Sequence, residues 1–151
     1  MSFLLTVHFI AALIWVGGMF FTHFVLRPSA EFLSLPDKIN LWSRVLRRFL
    51  AMIWLSIVLL PVSGYWMVFS YLGGWDDLGL HVYIMQVVGW IMIVIFVYVY
   101  LGPYKEMKIR VKEELFPEAG MFMLKIRRLV GVNLLLGIVN VVTAVTGRYL
   151  F

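Results

Sequence analysis

The chain has 151 residues, of which 63% are hydrophobic and only 14% charged, with a formal net charge of +5 and no cysteine. A water-soluble domain of this length needs far more polar surface to cover its core, so composition excludes one and assigns the chain to a membrane. The lack of cysteine excludes disulfides, thiolate-held iron–sulfur clusters, Cys-based zinc sites and haem attached through a C-x-x-C-H motif.

Four apolar stretches, about residues 3–26, 49–72, 80–101 and 129–150, are each long enough to cross roughly 30 Å of hydrocarbon. Helix is the form expected of each, because a bilayer leaves the backbone no other hydrogen-bond partner. The first span has no Lys or Arg before it and no A-x-A-like cleavage site, so it reads as a retained helix rather than a signal peptide. Between spans one and two, Pro36 and Asp37 start an amphipathic segment that runs to Arg48. A second such segment, from Tyr104 to Leu115, follows span three and ends near Pro117. Both are expected to lie at the membrane surface or to continue a span. No repeat or linker divides the chain, so residues 1–151 read as one all-α domain, an up-down bundle of four transmembrane helices.

Loop charge sets the expected orientation. Arg27, Lys38, Arg44, Arg47 and Arg48 join spans one and two, and Lys105, Lys108, Arg110, Lys112, Lys125, Arg127 and Arg128 join spans three and four. The middle loop carries Asp76 and Asp77 instead, and Arg148 is the one basic residue at that end. Basic residues that flank apolar spans point to topology rather than to nucleic acid; the rule that they stay inside places both termini on the outer side, the periplasm of a bacterial inner membrane. Trp75 and Tyr149 are expected to anchor the outer interface, Trp42 and Tyr104 the inner one.

Spans one and three then run in the same direction, and His8 and His81 each lie a few residues into their helix on the outer side. Helices one and three are diagonal neighbours in an up-down bundle, where cofactor sites are commonly built. Two neutral imidazoles there suit the axial positions of one non-covalent haem b; a polar helix end and a packing histidine are the plainer readings, and both stay open. The face below His8 carries Ala11, Ala12, Trp15 and Gly18; that below His81 carries Met85, Val88, Gly89 and Met92. Small residues there leave room for a macrocycle and equally let helices approach closely. Arg148 matches the pair in depth, so it is a candidate partner for a haem propionate or an interfacial anchor. His23 lies about 22 Å further along the first helix, near the inner end, where snorkelling or a His–Met copper site with Met19 are the readings. Asn133, Gly137 and Asn140 form a stripe on span four, and Ser56 and Ser63 one on span two, expected to face the core and bond between helices.

The run His8-Phe-Ile-Ala-Ala-Leu-Ile-Trp15-Val-Gly17-Gly18, with Arg27-Pro28 after it, resembles the first helix of CopD-type membrane proteins. The third span, from His81 through Met85, Gly89 and Met92 to Gly102-Pro103-Tyr104, is similar to theirs as well. The related HemJ-type protoporphyrinogen oxidases share the spacing of His8, Trp15 and Gly18; where they carry an arginine after the glycine, this chain has Thr22 and His23. The resemblance implies haem b or copper handling.

Together these readings lead to an expected inner-membrane redox protein with His8 and His81 on one haem. As an oxidoreductase it would draw electrons from a membrane quinol or porphyrin substrate and pass them to a periplasmic partner. A copper-tolerance component using Met19, His23, Met85 and Met92, a HemJ-like oxidase, and a cofactor-free subunit of a larger complex or homo-oligomer are the alternatives.

Overall fold

The computed structural model describes residues 1–71, 73–75 and 78–150, the side chains of residues 148–150 excepted. The expectations placed on Asp76, Asp77 and the side chains of Arg148 and Tyr149 lie outside the described residues. The rest is an all-α bundle with no strand among those residues. Four of its helices are long and apolar enough to cross a membrane, which makes the chain an integral membrane protein.

The first helix, α1, runs over Ser2–Ser29. Two short stretches of it, Leu13–Gly17 and Thr22–Leu26, are wound as π-helix. An α-helix turns every 3.6 residues, so positions four apart drift around it. Wider π turns offset that drift. Ala11, Trp15 and Met19, each four apart, accordingly all stay buried; Thr22 is the next buried residue, and His23 beside it is half-buried.

Helix α2 spans Leu35–Tyr71, longer than the apolar stretch inside it. Ser34 starts it: its hydroxyl accepts the Asp37 amide at 3.3 Å and donates to the Asp37 carboxylate at 2.5 Å, a reciprocal cap. The amphipathic segment 37–48 is therefore the first third of α2, continuous with the span. Pro61 sits inside the helix. Helix α3 covers Leu80–Leu101, and Gly102, with φ −100° and ψ −100°, breaks it. Helix α4, Pro103–Lys112, restarts with proline in its first turn, where the missing amide costs nothing. Glu114, at φ 58°, turns the chain into α5, which spans Phe116–Leu150. Pro117 thus opens the last helix instead of closing α4. Arg110 ties this corner together through Glu106, Glu113 and Glu118, the last at 3.3 Å.

α1 packs along α2, α3 along α5, and α5 also touches α1 and α2, so it lies at the centre of the bundle. The continuous hydrophobic core lies towards the basic loops. Its buried members include Trp15, Met19, Ile53, Met92, Phe96, Met107 and Leu134; among the described residues none precedes Trp15, falls between Ile57 and Met92, or follows Leu134. Trp42 and Tyr104 belong to this core, only 8% and 5% exposed, which corrects their expected place as interfacial anchors. They are covered because α2 and α4 continue past the apolar spans and pack on α5. Trp75, 38% exposed, stands at the opposite end against Tyr65, Phe69 and Tyr83.

Candidate functional site

His8 is half-buried and reaches α2. Its Nδ1 lies 2.9 Å from the Ser63 hydroxyl, and that hydroxyl donates back to the Leu59 carbonyl at 2.5 Å. A hydroxyl has one proton, so with it on the carbonyl Ser63 accepts from His8. In that arrangement His8 carries its proton on Nδ1 and its Nε2 lone pair is uncommitted; with the serine proton turned to Nδ1 the roles reverse. A Cβ on Gly64 would stand 3.3 Å from His8 Cε1, so the imidazole comes close to bare backbone.

His81 rests on glycine in the same way. A Cβ on Gly147 of α5 would fall 2.3 Å from the His81 Cβ, and one on Gly79 would fall 2.6 Å from its Cε1. His81 is half-buried, and its Nδ1 is buried without a partner. No hydrogen bond or ring contact joins His8 to His81 among the described residues.

Their relative depth follows from packing on α5. A Cβ on Gly137 would meet Val16 at 2.9 Å, which ties α1 to α5. From Val16 back to His8 is about 12 Å of helix, and from Gly137 to Gly147, beneath His81, about 15 Å. By this register the two histidines differ in depth by about 3 Å, less than one turn. The edge-on pair Trp15–Phe96, at 6.3 Å, gives a different register, with His8 about 12 Å deeper than His81. The α2–α3 contacts Trp54–Phe96, at 5.3 Å, and Trp90–Tyr65, at 3.0 Å, side with the larger offset, so His8 lies deeper than His81.

The neighbouring faces are partly polar. Asn133 Nδ2 donates to the Met92 carbonyl at 3.3 Å and Asn140 Nδ2 to the Met85 carbonyl at 3.2 Å, so the α5 stripe does face α3. Each amide oxygen is buried without a partner, as is Trp15 Nε1. Gly89 lies against Asn140, and Gly18 against the Phe49 ring. Met85 is half-buried; Met19 and Met92 are core. Ser56 is buried but bonds within its own helix, to the Met52 carbonyl, rather than across helices.

His23 has different surroundings. It lies over Gly131, whose Cβ would stand 3.3 Å from its ring, at one side of a cleft between α1, α2 and α5. Arg27, Arg127, Trp42, Phe49 and Met123 line the same cleft. A second, smaller cleft lies above it among Trp15, Met19, Leu50 and Asn133. Neither borders His8 or His81. Sequence reasoning passed over the Arg27–Arg127 pairing and Gly64, Gly131 and Gly147, which neighbouring helices set under the histidines. Each of those contacts joins two different helices, and no spacing along one chain segment signals it.

Fold and site together define an integral four-helix membrane protein with two imidazoles, His8 and His81, towards its termini and a basic cleft at the other end. The chain matches no protein-family model, no curated protein and no solved structure.

Proposed function

We propose that this protein is a small b-type haem protein of the bacterial inner membrane, holding one haem between α1 and α3 through His8 and His81. The reading rests on the His8–Ser63 contact: an imidazole whose Nδ1–H is held by a hydroxyl presents Nε2 for a metal, the usual orientation of a ligating histidine. The histidine end supports it in two further ways. It has no bulky buried core of its own among the described residues, and glycine backs both rings.

The residues do separate work. Ser63 orients His8 and keeps its ring from rotating. Gly64 and Gly147 let the imidazoles approach the neighbouring backbones, and Trp15, Met85 and Gly89 line the faces below. When bound, the haem supplies a one-electron couple, and two histidine ligands leave no open position for oxygen, which favours electron transfer. With the basic loops on the cytoplasmic side, the site faces the periplasm and serves a quinol or porphyrin donor and a periplasmic acceptor.

The test is spectroscopic. Protein purified in mild detergent from haem-replete cells should show a b-type reduced-minus-oxidised spectrum at about one haem per chain. A colourless preparation overturns the proposal.

A further inference from the structure

The cleft at the basic end is not used by the haem reading. It is walled by Trp42, Phe49 and Met123 below, and His23, Arg27 and Arg127 stand on it. Its inner volume is small, ≈ 30 Å³, room for one or two water-sized groups, and its mouth is open. The two arginines are close enough for their charges to act on each other and for Arg27 to act on His23. Glu31 is the acid that acts on Arg127, yet among the described residues no carboxylate forms a salt bridge with either arginine. Two guanidiniums against one carboxylate leave a net positive charge over an apolar notch.

We propose that this notch binds the headgroup phosphate of an anionic phospholipid from the adjoining leaflet, with the acyl chains lying along the apolar walls between α1, α2 and α5. The position fits: Arg27 lies at the end of span one and Arg127 precedes the apolar part of α5, where a bilayer covering those apolar stretches would put its headgroups. Planar guanidinium forks match phosphate oxygens two at a time, and basic notches between transmembrane helices take anionic headgroups for that reason. The apolar walls below give the chains a surface that a free anion does not need.

Native mass spectrometry of the full chain, incubated with phosphatidylglycerol or with phosphatidylcholine of the same acyl chains, tests this. Retention of phosphatidylglycerol should exceed that of phosphatidylcholine by about tenfold. In Arg27→Gln/Arg127→Gln the preference should collapse to within about twofold, while Arg44→Gln/Arg48→Gln, which removes the same charge elsewhere on that face, should keep it. Arg27→Lys/Arg127→Lys, which retains the charge without the fork, should fall between and covers the case in which the Gln pair does not fold. Equal retention of the two lipids overturns the proposal, and so does equal loss in the Arg44/Arg48 pair. Displacement of the lipid by millimolar inorganic phosphate also overturns it, since the notch would then recognise a free anion.

Discussion

His8 and Ser63, 55 positions apart, meet through a 2.9 Å contact between Nδ1 and Oγ, and this contact sets the chemistry of the imidazole. With the serine proton on the Leu59 carbonyl, the histidine donates, and this is the arrangement the proposed ligation needs. Nitrogen NMR of the histidine-labelled protein should therefore show His8 protonated at Nδ1. In Ser63→Ala the donor loses its partner, costing about 1 kcal/mol of stability and weakening haem retention. An Nε2-protonated His8 in the parent protein would remove the basis of the proposed ligation.

Substituting the histidines one at a time separates the ends of the bundle. His8→Ala and His81→Ala should each abolish the b-type spectrum, and His23→Ala should leave it intact, since His23 packs on Gly131 at the basic end. Loss of the spectrum in His23→Ala alone would move the cofactor to the other end.

Gly147 is a steric test of how α3 meets α5. Gly147→Ala puts a methyl group where the His81 Cβ already stands, and backbone has to move, at a cost of about 1–3 kcal/mol. Gly17→Ala is the matched control: its nearest neighbour would be the Leu13 side chain at 3.8 Å, an ordinary contact. It should be neutral, or stabilising by up to about 1 kcal/mol. Equal effects in denaturant unfolding of the two variants would contradict the close approach of His81 to α5.

Asn133 gives a contrast between shape and charge. Its amide makes one bond, to the Met92 carbonyl, and leaves its oxygen unpaired. Asn133→Leu, similar in size, should change stability by less than about 1 kcal/mol. Asn133→Asp places a carboxylate among apolar side chains and should cost about 2.5–3.5 kcal/mol or reduce insertion correspondingly. A tolerated aspartate would mean that water reaches this level of the bundle.

The four spans and their helical form were legible in the sequence. A bilayer allows long apolar segments only one backbone solution, and spacing along the chain measures position along a helix axis. For the same reason His8 and His81 were recognisable as residues near the same end of two parallel helices. Rotation about each axis is a different quantity, and a span that is apolar on every side encodes it weakly. Only the tertiary structure decided that Ser63 faces His8, that Trp42 and Tyr104 turn into the core, and that π-wound stretches keep Ala11, Trp15 and Met19 on one buried line. The three histidine–glycine contacts and the Arg27–Arg127 notch likewise exist only where two helices meet. Which side chains share a helix–helix seam depends on packing between segments far apart in the chain, and hydropathy carries no record of it.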